Sequence, residues 1–305
     1  MLLVVLNQSG LRKRAALIQA IRRFFINRGY LEVDTPARLP VLIPEAYNEP
    51  VASSGYFLQT SPEICMKRLL AEAGCQKIFQ ICKCYRKDER GDNHLPEFTM
   101  LEWYRTGSDY HSLMDECEDL IFEVAQALGH SGSITFKGTK ISLEKGWERL
   151  SVADAFNQYG PISVEQALEQ NIFDEVLCRY IEPQLGIKKP VFLYDYPVEL
   201  GSLARKKKEN PAVAERFEIY IGGLELANGF SELTDADEQR QRFEQDLILI
   251  KKQGRPVGSM PEKFLQALQD MPEAAGIALG LDRLAMVLLN AETIDQVVTF
   301  VPEDL

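Results

Sequence analysis

The sequence lacks the positive charge that nucleic-acid-binding proteins usually carry. Its 305 residues include 34 lysines and arginines against 45 aspartates and glutamates, for a formal net charge of −11 at pH 7. The only basic run is Arg-Lys-Lys-Lys at 205–208, which we interpret as a solvated loop and not a phosphate contact. Because binding to a nucleic acid backbone usually needs a basic footprint, the composition argues mildly against tRNA as a partner, without excluding a local patch.

Cysteine is also scarce, with six residues in the chain. Their spacing fits no zinc-ligand pattern, and a chain of this size does not need disulfides to stabilise a core. We therefore expect a reducing, cytoplasmic compartment. Cys82 and Cys84 stand two residues apart in a predicted strand, which favours thiols that face the core.

Long hydrophobic runs are missing as well. No stretch is long enough to span a membrane. The apolar run at residues 1–6 is short and has no basic region before it, so it is not typical of a signal peptide. No repeat or low-complexity linker is present. With 46% hydrophobic residues, the chain can form one large core or at most two domains.

The most informative segment is 86–104, predicted to begin and end as strand with a polar turn between. From residue 98 onward the period is two, so one face of the strand carries an aromatic ring, a thioether, a carboxylate and a phenol. These residues are Phe98, Met100, Glu102 and Tyr104. The opposite face carries Thr99, Leu101 and Trp103 and is apolar enough to be predicted as core. A buried carboxylate is unfavourable unless it is paired. The face with Glu102 is therefore predicted to form the floor of a site for a cation or polar ligand, and a solvated sheet face is the alternative.

Three segments resemble the class II aminoacyl-tRNA synthetases, and among them the lysyl enzymes. Residues 86–102, with RKD followed by PEFTMLE, resemble motif 2, and residues 278–284 (ALGLDRL) resemble motif 3. Residues 223–233 (GLELANGFSEL) resemble the strand of the lysine pocket. The resemblance implies an α+β fold with an antiparallel sheet flanked by helices. It implies a single catalytic domain over 1–305, interrupted by an insertion at about 133–213.

The N-terminal region resembles motif 1, which forms the homodimer interface of class II enzymes. Apolar residues at helical spacing predict a helix that Ser9 caps and that runs to about Arg28, where Gly29 ends it. A short strand at 30–33 follows. Without the resemblance, the pattern would fit an ordinary surface helix better. Because the helix starts at about residue 10, we expect no anticodon-binding domain, and we expect a homodimer.

Residues 216–227 are predicted to form a hairpin with a two-residue Gly-Gly turn. This register places Tyr220 opposite Glu225 and Glu218 opposite Ala227. Glu218 and Glu225 then lie on one face as diagonal neighbours. Two carboxylates aimed at one point repel unless a cation lies between them, and the resemblance assigns the same pair to magnesium. Two exposed glutamates on an edge hairpin are the alternative.

The resemblance also implies roles for residues around ATP. Arg86 would bind the α-phosphate and the substrate carboxylate, because a guanidinium group suits paired oxygens. Arg283 would contact the γ-phosphate and, with Phe98, enclose the adenine ring. His94 would close over the phosphates. Asp88, a glutamate in many relatives, would reach the adenine amino group with a shorter arm. The full predicted set for ATP is Arg86, Asp88, His94, Phe98, Glu218, Glu225, Gly280 and Arg283, of which Arg86 and Arg283 are catalytic.

A second set is implied for the amino-acid substrate. Glu63, Glu102 and Glu232 supply three carboxylates, which suit lysine or an isomer of lysine. The other members are Ser61, Tyr104, Asn228 and Ala278. Glu63 also has a structural role, because Ser61 can cap a helix that opens with Pro62 and Glu63. Ser61 and Ala278 stand where lysyl-tRNA synthetases usually have alanine and glycine.

Without room for an anticodon-binding domain, the chain resembles the free-standing relatives of the lysyl enzymes that attach (R)-β-lysine to a lysine of translation elongation factor P. This implies an AMP-forming ligase that uses ATP and Mg²⁺, forms an aminoacyl-adenylate and transfers it to a protein amine. A truncated lysyl-tRNA synthetase-like enzyme with another acceptor and a non-catalytic sensor on the same fold stay open. Intact Arg86, Arg283, Glu218 and Glu225 count against the sensor.

Overall fold

The computed structural model describes residues 6–305, so the apolar run at residues 1–6 lies almost wholly outside the described residues. Its α-helices are α1 (Gln8–Asn27), α2 (Glu63–Glu72), α3 (Tyr110–Ala127), α4 (Val152–Tyr159), α5 (Val164–Glu169), α6 (Phe173–Val176), α7 (Ala236–Lys252), α8 (Glu262–Leu268) and α9 (Leu281–Leu289). Shorter helical turns cover Leu177–Ile181, Glu182–Gln184, Val198–Leu200, Ile294–Val297 and Pro302–Asp304. Over residues 6–305, no helix combines the length and the apolar composition that a membrane-spanning segment requires.

The strands are β1 (Leu31–Glu32), β2 (Arg38–Leu39), β3 (Ala52–Ser53), β4 (Tyr56–Leu58), β5 (Lys77–Tyr85), β6 (Glu97–Thr106), β7 (Ser133–Phe136), β8 (Thr139–Ser142), β9 (Glu148–Ser151), β10 (Val191–Pro197), β11 (Lys206–Lys207), β12 (Asn210–Ile221), β13 (Leu224–Ser231) and β14 (Ala274–Gly280). One large sheet has the order β1-β5-β6-β14-β13-β12-β10-β9, with β11 paired to β12. Neighbouring strands in this sheet are antiparallel, except for the parallel pairs β1–β5 and β9–β10 at its two edges. The predicted α+β class with an antiparallel sheet and flanking helices is confirmed.

The side chains of strand β6 alternate between the two faces of this sheet. Leu101 and Trp103 are fully buried in the large core that includes residues of α1, α3 and α9. Tyr104 points the opposite way, into a second core with residues of α2, α7 and α8. Met100 and Glu102 are also buried on that second face. The period of two therefore predicted correctly which side of β6 faces the main core.

The N-cap of helix α1 lies two residues before the predicted one. Asn7 is the N-cap, and its side chain accepts a hydrogen bond from the backbone nitrogen of Gly10 at 2.9 Å. Ser9 lies inside the first turn, so its prediction as the cap was wrong. Asparagine and serine are both favourable caps, and the backbone conformation of Asn7 decides between them. The helix ends at Asn27, close to the predicted end.

The segment predicted as an insertion, residues 133–213, extends the central sheet. Its strand β10 pairs with β12, and β9 pairs with β10 at the edge. Helices α4 to α6 pack on this edge around a third core. Ser151 and Ser163 are the N-caps of α4 and α5. The assignment of this segment as an insertion in a single domain stays a prediction.

Cys82 and Cys84 lie on β5 with their sulfur atoms 3.9 Å apart. Cys84 is buried as predicted and lies 3.8 Å from the sulfur of Met100. Cys82 is only partly buried, so the prediction that both thiols face the core was wrong for Cys82. The strand pattern predicted their shared face but not how much of that face is covered.

Asp282 fixes the start of α9 to the rest of the sheet. Its carboxylate accepts hydrogen bonds from the backbone nitrogen of Thr99 and from Arg14 Nη2, both at 2.6 Å. Arg14 also donates to the carbonyl oxygen of Val297 at 2.9 Å. Asp282 is buried, so its charge is stabilised by these donors. The next residue, Arg283, is therefore held at a defined place above the sheet.

Candidate active site

A cavity of about 350 Å³ opens above the sheet. It lies between β6, the β12–β13 hairpin, the junction of β14 with α9, and the loop that precedes β6. The predicted ATP-binding residues that line it are Arg86, His94, Phe98, Glu218, Glu225, Gly280 and Arg283, and the predicted substrate-binding residues that line it are Asn228 and Ala278. Most of the residues predicted from separate motifs therefore come together in one place.

One row of directly paired residues crosses the sheet beside this cavity. Glu102 lies opposite Ala278, Ala278 opposite Asn228, and Asn228 opposite Glu218. Directly opposite side chains point to the same face of a sheet. Neighbouring strands are about 4.8 Å apart, so the row spans roughly 14 Å. It connects the predicted amino-acid pocket at Glu102 with the predicted metal-binding carboxylates at Glu218.

The β12–β13 hairpin has its predicted register next to the turn, where Tyr220 pairs with Glu225, and differs by one residue further along. The Gly-Gly turn is present, and both glycines have the positive φ that such a turn requires. However, Glu218 pairs with Asn228 and not with Ala227, because Leu226 is an extra residue in a bulge on β13. The predicted pairing with Ala227 was therefore wrong. Glu218 and Glu225 nevertheless line the same cavity.

Glu218 is held by three donors. It accepts hydrogen bonds from the hydroxyl groups of Tyr196 and Tyr220 at 2.5 and 2.7 Å, and from Arg216 Nη2 at 2.6 Å. A carboxylate offers about four acceptor positions, so Glu218 keeps about one for a further partner. Burial, followed by the charge of Glu218, raises the pKa of Glu225.

Glu218 and Glu225 fit a magnesium ion in charge and in ligand type. A cation between them would remove the repulsion that raises the pKa of Glu225. Mg²⁺ commonly takes one or two protein carboxylates and completes its shell with water and substrate phosphates. Over the described residues, no group of three or more metal-ligating side chains surrounds one point. The pair therefore suits an ion shared with phosphates better than an ion enclosed by protein.

Arg283 joins α9 to the hairpin and to the loop before β6. Its guanidinium group donates to the carbonyl oxygens of Glu225 and Asn93, at 2.9 and 3.2 Å. It also donates to His94 Nε2. Burial and the charge of Arg283 lower the pKa of His94, so the ring is neutral and can accept this bond. His94, which is predicted to close over the phosphates, is thus bonded to Arg283, the predicted ligand of the γ-phosphate.

Arg86 lies at the opposite wall of the cavity. Its guanidinium carbon is 5.2 Å from the centre of the Phe98 ring, and its Nη1 is 3.7 Å from Glu89. The Nε atom of Arg86 is buried and has no hydrogen-bond partner within residues 6–305, which leaves a donor for a ligand. Asp88 does not line the cavity, and its side chain is 83% exposed. The contact of Asp88 with adenine stays a prediction.

The three predicted carboxylates of the amino-acid pocket also come together. Glu102 is buried and accepts a hydrogen bond from the Tyr104 hydroxyl group at 2.9 Å. Burial and the nearby charge of Glu63 raise the pKa of Glu102 well above its usual range. Burial raises the pKa of Glu232 to about 8, against the opposing effect of the Lys67 ammonium. Lys67 contacts both Glu63 and Glu232, and Glu232 lies beside the ring of Tyr104, the donor to Glu102, so the three carboxylates surround one pocket.

Ser61 is not the cap of α2. The helix starts at Glu63, Pro62 is its N-cap, and across the described chain no side chain caps this end. The predicted cap was wrong because Pro62 occupies the position that Ser61 would need. Ser61 is also not among the residues that line the cavity. Glu63 does have the predicted structural place in the first turn of α2.

Sequence reasoning missed Lys67 and Arg216. Lys67 is buried on α2, with its Nζ atom 2.6 Å from Glu63 and in contact with Glu232. Its position four residues after Glu63 was a usable signal, because such residues are neighbours on a helix. Arg216 lines the cavity and pairs with Glu218, two residues further along the same strand face. Because residues two apart on a strand point to the same face, the alternation that predicted the place of Glu218 also predicts that Arg216 lies on that face.

Comparisons with known proteins agree with this geometry. Residues 6–304 match the family model described as "tRNA synthetases class II (D, K and N)". An "Elongation factor P--(R)-beta-lysine ligase" from Pectobacterium carotovorum subsp. carotovorum (strain PC1) is 42% identical over 315 aligned residues, which cover 96% of this chain and 94% of the relative. Proteins of the same name from Pectobacterium atrosepticum and Salmonella gallinarum are 40% identical and cover 96% and 95% of this chain and 94% of their own lengths. The motifs, the sheet and these matches lead to one conclusion: the chain belongs to the class II tRNA synthetase family (D, K and N).

Proposed function

We propose that this chain is an ATP-dependent, AMP-forming ligase that activates (R)-β-lysine, or lysine, and transfers it to a lysine side chain of translation elongation factor P. The observation that carries the proposal is the row from Glu102 to Glu218. A pocket of buried carboxylates lies at one end of the row and the arginine-lined cavity at the other. The relatives named as elongation factor P--(R)-beta-lysine ligases support the choice of acceptor.

In the activation step, a carboxylate oxygen of the amino acid attacks the α-phosphorus of ATP, and pyrophosphate leaves. Negative charge gathers on the phosphate oxygens, so fixed cations around them lower the barrier. Arg86 offers its buried Nε atom at one wall of the cavity. Arg283 is held at the other wall by Glu225 and His94. Both arginines are positioned before the substrates bind.

The other predicted residues have supporting roles in this proposal. Phe98 offers an aromatic face for the adenine ring, and Gly280 leaves space at the start of α9. Glu218 and Glu225 would hold Mg²⁺, which when bound neutralises the outer phosphates. The tyrosines that donate to Glu218 keep its carboxylate aimed at the cavity.

At the other end of the row, the pocket must hold two ammonium groups. Glu63, Glu102 and Glu232 are acidic and largely withdrawn from water, so each gains by pairing with a cation. Asn228 and Ala278 lie between this pocket and the cavity, where the carboxylate of the substrate would face Arg86. A neutral side chain would leave the pocket with more carboxylates than the single Lys67 ammonium can pair.

In the transfer step, the ε-amine of the acceptor lysine attacks the acyl carbon of the adenylate. A new C–N bond forms, the bond from the acyl carbon to the phosphate oxygen breaks, and AMP leaves. The amine loses a proton as the amide forms. The acceptor must therefore reach the junction between the two ends of the row.

We also infer that the chain acts as a cytoplasmic homodimer that does not use tRNA. The described cysteines are free thiols, which suits a reducing compartment. The outer sides of α1 and β1 expose Leu11, Ile26 and Leu31 by 39%, 57% and 58%, which supports a partner on this side. The net charge of −11 argues against a polynucleotide partner.

The test is the intact mass of elongation factor P after incubation with this protein, ATP and Mg²⁺. (R)-β-lysine and α-lysine are supplied in parallel reactions. We expect a gain of one acyl residue, larger with the β isomer. No gain with either isomer, alongside amino-acid-dependent exchange of pyrophosphate into ATP, would favour a synthetase-like enzyme with another acceptor. No exchange at all would favour the non-catalytic sensor.

A further inference from the structure

Lys67 is a buried charge in the amino-acid pocket. It lies on α2 with 1% of its side chain exposed. Its Nζ atom is 2.6 Å from a carboxylate oxygen of Glu63, contacts Glu232, and lies 5.0 Å from the centre of the Phe230 ring. An ammonium group away from water is stable only when it is paired. The paired glutamates account for its burial.

The partners of Lys67 are the residues predicted to bind the substrate. Glu63 and Glu232 belong to different elements, α2 and the segment after β13, and Lys67 contacts both. It therefore sets the distance between two carboxylates that would receive different ammonium groups. Each carboxylate has a second oxygen that Lys67 does not engage in these ion pairs.

The charges of the pocket give a second argument. The ammonium groups of a bound amino acid lower the pKa of the three carboxylates and favour their ionised forms. Three ionised carboxylates facing one fixed ammonium leave an excess of two negative charges. (R)-β-lysine and lysine each carry two ammonium groups. Without Lys67, the pocket would have one negative charge more than these substrates neutralise. Monoamino acids would leave a buried carboxylate without a partner.

We propose that Lys67 is a specificity-determining positioning residue, an internal counter-ion that spaces Glu63 and Glu232 and matches the pocket to a diamino acid. This inference rests on the proposed function, because it assigns the pocket to that substrate. Lys67 acts through the glutamates and does not touch the reacting atoms. It therefore affects binding of the amino acid and leaves ATP binding unchanged.

The proposal also predicts a pH effect. The groups that face Glu232 are Lys67 and Glu63 from α2 and Tyr104 from β6. The Lys67 ammonium lowers the pKa of Glu232, so its removal raises that pKa further. The acidic limb of kcat/KM for the amino acid should then move to higher pH. A residue that only filled space would not move this limb.

The experiment uses amino-acid-dependent pyrophosphate exchange by the full-length protein with (R)-β-lysine. Lys67→Met removes the charge and keeps the length of the side chain, whereas Lys67→Gln keeps hydrogen-bond donors and removes the charge. We expect KM for the amino acid to rise about tenfold or more in both variants, with KM for ATP unchanged and the acidic limb shifted upward. Lys77→Met is the matched control, because Lys77 is a half-buried lysine 5.4 Å from the ring of Tyr30 and outside this pocket.

A double variant tests whether Lys67 acts through Glu232. We expect the loss in Lys67→Met/Glu232→Gln to be smaller than the sum of the two single losses, because one of the two carboxylates through which Lys67 acts is already neutral. Additive losses, or an unchanged KM and pH limb in folded Lys67→Gln, would overturn the inference. Circular dichroism establishes whether each variant folds. If Lys67→Met does not fold, the KM values and pH profiles of Lys67→Gln and of the charge-balanced double variant test the inference. If the wild-type protein shows no exchange, the proposed function fails instead.

Discussion

Arg283 contacts Glu225 twice through the same nitrogen. Its Nη1 atom lies 2.9 Å from the backbone carbonyl oxygen of Glu225 and 3.3 Å from the carboxylate oxygen Oε2. The backbone contact does not depend on the charge of the side chain, so it would persist if the carboxylate bound the Mg²⁺ ion proposed above. In the proposed reaction, the arginine and the carboxylate would act on the same phosphates from fixed positions on α9 and β13.

The first prediction concerns Arg283. We expect Arg283→Ala to abolish adenylate formation, with a loss on the order of 10³-fold or more, because a fixed cation at the phosphates is removed. The fold should persist, since the guanidinium group is near the surface of the cavity and Asp282 anchors α9 independently. Pyrophosphate exchange and circular dichroism measure the two effects. Arg240→Ala, at an exposed ion pair with Glu262, is the control. Exchange at the wild-type rate in Arg283→Ala would refute the motif 3 assignment.

The second prediction tests whether the two ends of the row from Glu102 to Glu218 bind different substrates, the amino acid at one end and ATP at the other. Glu232→Gln should raise KM for lysine-type substrates by about 30-fold or more, because a buried charged partner of an ammonium group is lost. KM for ATP should stay close to the wild-type value. Both constants come from the same pyrophosphate exchange assay. Equal losses for the amino acid and for ATP would remove Glu232 from the amino-acid pocket.

The third prediction is a pH dependence of stability. Burial raises the pKa of Glu232 to about 8, whereas an unfolded glutamate titrates near 4.3. Between these values the folded state holds a proton that the unfolded state lacks, so stability falls as pH rises, by up to about 1.4 kcal/mol per pH unit. This stability is fully present below the unfolded pKa and is lost as pH rises through the folded pKa.

Glu232→Gln removes this dependence. We expect the variant to gain stability relative to wild type as pH rises from about 5 to 8, and to gain little near pH 4. Thermal unfolding of both proteins at several pH values measures the difference. A difference in Tm that stays constant across this range would contradict the buried, proton-binding state of Glu232.

The sequence predicted elements whose signals are local. The alternation in β6 predicted that Glu102 and Tyr104 share a face, and it placed Trp103 in the opposite core. The Gly-Gly pair predicted the hairpin turn, because few other residues tolerate its backbone conformation. These features depend on nearest neighbours and on the period of a strand, which a single sequence contains.

Other features depend on contacts that the local sequence does not encode. The bulge at Leu226 shifts the partner of Glu218 by one residue and turns Asn228, in place of Ala227, to the face of Glu218. The cap of α1 depends on the backbone conformation at Asn7. The spacing of Lys67 from Glu63 indicates one ion pair, but its contact with Glu232, from a distant segment, is visible only in the fold.

The fourth prediction compares two arginines of α1. Arg14 bonds to the buried Asp282 and to the carbonyl oxygen of Val297, whereas Arg22 pairs with Glu32 at the surface. Removing one partner of a buried pair leaves an uncompensated charge, so Arg14→Ala should lower the free energy of unfolding by about 3 kcal/mol. Arg22→Ala should lower it by less than about 1 kcal/mol. Urea unfolding measures both, and equal effects would show that Asp282 does not depend on Arg14.

The fifth prediction concerns Gly276, which lies opposite Tyr104 on β14. A Cβ atom at this position would collide with the Tyr104 ring and with a carboxylate oxygen of Glu232. Gly276→Ala should therefore displace pocket side chains, at a cost of about 1–3 kcal/mol in stability and with a clear rise in KM for the amino acid. ATP binding should change little. Gly258→Ala is the matched control, because nothing lies within 4 Å of its Cβ position. If Gly276→Ala kept wild-type affinity for the amino acid, Tyr104 and Glu232 could not be rigid walls of the substrate pocket.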